Sequence, residues 1–254
     1  VEFQQAFQEL FRFSLVWVKD ESAVRVLAMV VLGASLLWIL GGALYLRVDE
    51  PSSEPGEEKL FNDMLQRLAL VRDDALFRRF IIARVLLLGT ALGSPLFVVL
   101  AGGKVLSLGA FVIASGIATA SSSFIWGGLA DRASNLTMAV GGGIAAVTAA
   151  AGLLLKLGEA SLLDHPFSWP LIFLIFNLGY TGVRVGRKTW VIDAAEGDRR
   201  TDYVSASNTV IAVAIIAMGV IGSAIQANSA LLLLGVYSGL CFIGAAVAWT
   251  LKTD

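Results

Sequence analysis

WGGLADRASNLT, at positions 126–137, is a short charged stretch set between two long apolar segments. Each flank is able to cross a bilayer, because about 20 residues at helical rise cover the ~30 Å hydrocarbon core. Asp131 and Arg132 therefore belong at a membrane surface, where two helices reverse. That reversal sets the alternation of every other segment in the chain.

Composition supports a membrane setting. Over 254 residues the chain is 57% hydrophobic and only 15% charged, with a mean hydropathy of +0.77. This is more apolar surface than one soluble core absorbs and too little charge to cover it. A soluble helical bundle would need polar faces at helical period, whereas the long segments here are apolar all round. The near-zero net charge of -1 carries no bulk signal for nucleic acid. The single cysteine, Cys241, lies in an apolar run and reads as a packing residue, and the single histidine, His165, lies in a loop. No metal set, nucleophile and base pair, or phosphate-binding loop stands out. No enzyme, catalytic residue, metal or cofactor is expected. The start of the chain shows no basic region followed by an apolar core, so no signal peptide is read there and the chain is expected to be a piece of a longer protein.

Working outward gives an all-α, polytopic bundle of about seven spans. Residues 1–22 are amphipathic and too polar to span, as expected of an interfacial segment. Residues 23–47 hold the first span, with its apolar run at 24–46. Residues 48–79 form a polar linker with two prolines and then an amphipathic helix, with Leu60, Met64, Leu65, Leu68 and Val71 on one face. Residues 80–254 hold six further spans, at about 80–101, 105–129, 137–157, 169–191, 204–226 and 229–251. Glycines at close-approach spacing recur in them: Gly89 and Gly93, Gly141 to Gly143, Gly219 and Gly222, Gly235 and Gly239. Pro95 is placed to kink the second span.

Charge placement orients the bundle. Arg47, Lys59, Arg67, Arg72, Arg78, Arg79, Arg132, Arg187, Lys188, Arg199, Arg200 and Lys252 fall on one side, and Arg12, Lys19, Arg25, Lys104 and Lys156 on the other. With Arg84 and Arg184 inside spans, these complete the 19 basic residues. Twelve against five places the Asp131 turn, the linker and the C-terminus in the cytoplasm.

The turn also carries a resemblance. Gly127-Gly128-Leu129-Ala130-Asp131-Arg132 between two apolar helices resembles the loop between helices eight and nine of the major facilitator superfamily, a class of secondary transporters. Here Ser134 and Asn135 stand where the family pattern continues with basic residues. FRRFIIAR at 77–84 with Pro95 is similar to the start of helix seven in a bacterial branch of that family. GVRVGRKT at 182–189 with Asp193, then Asn208 and Thr209, is similar to the end of helix ten and start of helix eleven. The resemblance implies the C-terminal half of a twelve-helix carrier, from helix six onward, in a bacterial inner membrane. Its expected partners are membrane lipid, an unidentified small-molecule substrate and the missing N-terminal half. A non-transporting membrane scaffold with a half-carrier fold is the alternative.

Ionisable groups at the centre of a membrane helix cost roughly 2.5 to 3.5 kcal/mol on insertion scales. Arg84 and Arg184 are the two inside spans, and two readings stand for them: snorkelling to the surface, or attracting an anionic substrate. Asn177, Tyr180 and Arg184, at i, i+3 and i+7, share one helix face. With Asn208 they are the expected substrate-cavity residues. No Asp or Glu falls inside the expected spans, so no protonation site is read in this part of the chain. Gly127, Gly128, Asp131, Arg132, Arg187, Lys188 and Asp193 are read either as a cytoplasmic gate or as helix ends obeying the positive-inside rule. The resemblance favours the gate for Asp131.

Overall fold

The computed structural model describes residues 32–33, 35–44, 69–102, 105–195 and 198–251. The segment at 1–22 and most of the linker lie outside the described residues. Two compact units divide the chain, Val1–Pro55 and Gly56–Asp254. In the first, helix α1, Ser35–Leu44, covers the later part of the apolar run expected as the first span.

The second unit opens with α2, Ala75–Leu86. Asp74 starts it: its backbone is extended, and its Oδ1 accepts from the N–H groups of Leu76 at 2.9 Å and Phe77 at 3.0 Å. These are two of the four donors that a helix start leaves without intrahelical partners. The helix thus begins about one turn before the expected 80. It continues through α3, Gly89–Leu92, and α4, Ser94–Leu100, as one apolar segment of 26 residues. The breaks fall at 87–88 and at Gly93, just ahead of Pro95, which has no N–H to continue the ladder. There the Thr90 hydroxyl donates to the Leu87 carbonyl at 2.7 Å. Such re-satisfaction lets a broken helix persist in lipid.

The helices α5, Val105–Ala130, and α6, Ser134–Leu157, are joined by the three-residue Asp131–Ala133 turn. A short 3-10 turn, Ser161–Asp164, leads into α7, Ser168–Ala194. Then come α8, Asp198–Asn228, and α9, Ala230–Trp249, whose cap Ser229 accepts from Leu232 N–H at 3.2 Å. Among the described residues, five segments are long and apolar enough to cross a bilayer: Ala75–Leu100, Leu108–Ala130, Ser134–Leu157, Arg199–Asn228 and Ala230–Trp249. The exception is α7, at 27 residues long enough to span but interrupted by Asn177, Arg184, Arg187 and Lys188. Its packing accounts for that polarity. It makes extensive contacts with both α5 and α6, so protein rather than lipid covers much of its surface.

Glycine sets how closely α7 approaches α6. A Cβ at Gly179 would lie 2.6 Å from the Gly141 carbonyl oxygen, and one at Gly186 would lie 2.6 Å from Met138 N. With no apolar driving force between helices in lipid, such close backbone packing is a principal source of association. On the α5 side, Trp126 Nε1 donates to the Leu178 carbonyl at 3.1 Å and to Thr181 Oγ1 at 3.2 Å. Of the glycines expected from spacing, Gly89, Gly141, Gly142 and Gly222 are closely packed, the Gly89 Cβ position 2.9 Å from Tyr237 O and the Gly141 one 2.7 Å from Gly179 O, while Gly143, Gly219 and Gly239 face open space.

Among the described residues, two apolar clusters fill the interior. One gathers Phe77, Phe80, Met138, Trp190, Tyr203 and Leu251, with Val71 packed at its edge. The other gathers Phe97, Phe111, Trp169, Phe173, Phe176 and Tyr237. The first cluster forms the floor beneath the polar site.

Candidate functional site: a basic cavity between α2, α7 and α8

Three helices contribute one face each. Arg84 comes from α2, Arg187, Lys188, Val191 and Ile192 from α7, and Arg200, Val204, Ser207 and Asn208 from α8; together they line a cavity of about 360 Å³. On α8 the spacing 200, 204, 207, 208 is that of one helical face. On α7 the stripe expected through Asn177, Tyr180 and Arg184 continues at the same spacing into Arg187, Lys188 and Val191. The cavity lies at the end of that stripe.

Arg84 is the centre of the site. Its Nη1 donates to Ser207 Oγ at 2.5 Å and its Nη2 to Asn208 Oδ1 at 3.2 Å, while its Nε is buried without a hydrogen-bond partner among the described residues. The Phe80 ring lies beneath the guanidinium, 5.9 Å from its carbon to the ring centroid. Phe80 stacks in turn on Trp190 at 4.1 Å and 12°. A fixed aromatic floor therefore holds the Arg84 side chain across toward α8. At the mouth, Arg200 Nη2 donates to the Ile192 carbonyl at 3.2 Å, tying the start of α8 to the last turn of α7. Four basic side chains line the cavity, and no acidic one does among the described residues.

A second contact braces the same helices outside the cavity. The Tyr203 hydroxyl donates to Asp74 Oδ2, and Arg199 Nη2 lies 3.9 Å from that oxygen. Burial disfavours the ionised Asp74 carboxyl, but the Phe77 amide, the Tyr203 hydroxyl, the Leu76 amide and the Arg199 charge outweigh it and hold its pKa below the usual carboxylate value. Asp74 thus stays ionised at neutral pH, engaged with α8 rather than with the cavity.

Arg84 and Asn208, expected as cavity residues, thus meet Arg187 and Lys188, expected as gate residues. Asn177 is 5% exposed and Arg184 sits over the Tyr180 ring at 6.0 Å; neither these two nor Tyr180 line the cavity. Asp131, Arg132 and Asp193 are exposed, and no ion pair links Asp131 to Arg187 or Lys188 among the described residues. A Cβ at Gly127 or Gly128 would meet open space, so neither glycine is required there for close packing. Sequence reasoning missed Arg200 and Ser207. Their signal is helical spacing with Asn208, and Arg200 lies one turn outside a span that begins at 204. It also missed Asp74 as a helix cap.

Apolar helices of bilayer length, packed on one another through apolar clusters, define a polytopic integral membrane protein. The chain belongs to the major facilitator superfamily, whose family model matches residues 14–219. Searches of curated proteins and of solved structures gave no match to the chain. Membership makes the protein a membrane transporter in general terms, in a superfamily of transporters rather than enzymes.

Proposed function

We propose that this chain is the C-terminal half of a secondary active or facilitative carrier that moves a small solute by alternating access. The observation that carries this reading is the α2–α7–α8 cavity, where charged and polar side chains converge from helices that are otherwise apolar. In the superfamily's architecture two halves enclose the substrate between them; this face, at the α7–α8 end of the helices, is the mouth of the path on one wall, and the partner is the other half. The Asn177–Tyr180–Arg184 stripe extends that wall deeper along α7. No acidic side chain among the described residues lines the cavity. Proton coupling, if used, then resides in the other half.

The test is uptake of a panel of labelled solutes into proteoliposomes, with and without a pH gradient. The full-length carrier is expected to give saturable uptake and residues 1–254 alone none. Failure of the full-length protein on every solute would remove the transport reading in favour of a scaffold. Saturable uptake by the fragment would remove the half-carrier reading. Asp131, exposed and with no side-chain hydrogen bond or ion pair among the described residues, is proposed as a rim latch against the other half. In the same assay Asp131→Asn is expected to slow turnover about five- to thirty-fold, the equivalent of ~1 to 2 kcal/mol of coupling, with unchanged thermal stability. Wild-type turnover would eliminate the latch.

The cytoplasmic side is proposed to be the one holding the Asp131 turn and the α7–α8 connection, in an inner membrane. In a Cys241→Ala background, cysteines at Arg132 and Thr201 are expected to label from the cytoplasm and one at Ser161 from outside. All three positions are exposed, whereas Ser134 is only 3% exposed and would report poorly. External labelling at Arg132 would invert the orientation.

A further inference from the structure

We infer that the cavity between α2, α7 and α8 is a seat for a small, multiply charged anion bearing carboxylate or phosphate oxygens. This deepens the carrier reading and rests on it, by naming the chemical class of the solute. Arg84, Arg187, Lys188 and Arg200 converge on one space of about 360 Å³ with no acidic side chain among the described residues that line it. Like charges gathered on one wall repel one another, and the half-buried Arg84 and Arg187 have lost part of the water that a counter-ion replaces well. A cationic solute would add to the repulsion, and a neutral one would leave every charge unpaired. A singly charged anion would answer one cation of four.

The donors are arranged for oxygens. Ser207 and Asn208 use their oxygens to hold Arg84, which fixes the plane of its guanidinium, and Arg84 Nε remains buried and unpartnered. A held guanidinium offers the paired N–H geometry that matches carboxylate and phosphate. The Asn208 carboxamide adds further donors beside it. Lys188 and Arg200 are exposed, where they draw an anion inward, whereas Arg84 and Arg187 are half-buried, where they hold it. The cavity on this wall, about 360 Å³, has room for a compact solute.

The experiment is calorimetric titration of the full-length carrier, in a nonionic detergent at fixed ionic strength, with inorganic pyrophosphate and with citrate, against chloride. Saturable binding of at least one is expected, weakened at least tenfold in Arg84→Gln and in Arg187→Gln and unchanged in Arg79→Gln, a basic exposed position of α2 outside the cavity. Arg84→Lys keeps the charge without the fork and is expected to lie between. Should Arg84→Gln not fold, Arg200→Gln at the exposed mouth is expected to weaken binding at least threefold. A repeat in nanodiscs of phosphatidylcholine with and without phosphatidylglycerol separates the sources. Binding displaced by phosphatidylglycerol assigns the seat to a lipid headgroup, and binding retained assigns it to a free solute; both support an anion seat. No binding of either probe and no headgroup effect, or equal affinities in the Arg84→Gln and Arg79→Gln variants, would overturn it. A carrier that takes up a neutral solute yet binds no anion defeats this inference alone. One that binds anions but transports nothing defeats the carrier reading instead.

Discussion

Gly179→Leu is expected to prevent recovery of a monodisperse, folded protein, the largest effect of any single change proposed for this chain. A Cβ at that position would lie 2.6 Å from Gly141 O, 2.7 Å from Ala145 N and 3.1 Å from Ala145 Cβ. The first two are backbone atoms of α6 and cannot rotate aside as a flexible side chain would. The helices would have to separate by roughly 1 Å to reach ordinary contact distance, and such a gap forfeits a quarter to a half of each dispersion contact along the seam. The cost is shared, because Gly141 and Gly186 pack on the same seam. Gly179→Ala carries the same Cβ without the rest and is expected to cost about 1 to 3 kcal/mol, as overpacking does. Gly143→Ala, in open space on the helix next door, is expected to be neutral or to stabilise by up to about 1 kcal/mol. Size-exclusion profiles and thermal melts of the three variants in detergent decide the matter. A Gly179→Leu protein that melts like the wild type would show that α6 and α7 do not meet through these glycines.

That seam also marks where sequence reading stops. The Asp131 turn and the long segments around it were legible because hydropathy reports which residues avoid water, and the bundle follows from that. Hydropathy does not report which face of a helix meets which neighbour. Spacing singled out Gly141, which lies on the seam, together with Gly239, which faces open space, and passed over Gly179, Gly182 and Gly186, which are packed against α5 and α6. A glycine pattern names a helix able to come close, never the partner it comes close to.

Helix ends were displaced for a related reason. The DRRTD stretch at 198–202 reads as a surface loop by polarity, yet it is the first part of α8. Setting that span at 204 hid Arg200 from the face it shares with Ser207 and Asn208. Asp202 likewise falls within α8 rather than outside it. Asp74 was absorbed into an amphipathic segment, although an Asp directly before an apolar helix is a readable cap. Arg84, by contrast, was legible as a cavity residue because its charge conflicts with its surroundings. Asn208 was named for the cavity as well, but its bond to Arg84 was not legible, nor was Ser207, since these two lie 124 and 123 residues further along the chain.

The second large effect is expected at Trp190, the side chain that supports the cavity from below. It is fully buried and stacks on Phe80 at 4.1 Å, while Phe80 lies under the Arg84 guanidinium. Trp190→Ala removes a large buried ring and leaves a void that the rigid seam between α6 and α7 cannot close. Such truncations cost 3 to 5 kcal/mol in soluble cores; here, where packing rather than water expulsion holds helices together, about 3 kcal/mol is expected. Trp190→Phe is expected to cost about 1 kcal/mol or less. The aromatic stack is kept, worth ~0.5 to 1.5 kcal/mol, and the buried Trp190 Nε1, which has no hydrogen-bond partner among the described residues, is removed with its desolvation penalty. The two variants separate two roles for this ring. If it acts as an aromatic floor, alanine destabilises strongly and loosens the Arg84 site while phenylalanine preserves both. If its N–H matters more than its face, phenylalanine should be as damaging as alanine. Unfolding midpoints of the two variants in detergent, read beside anion affinity, give the answer, and equal losses in both would discard the floor.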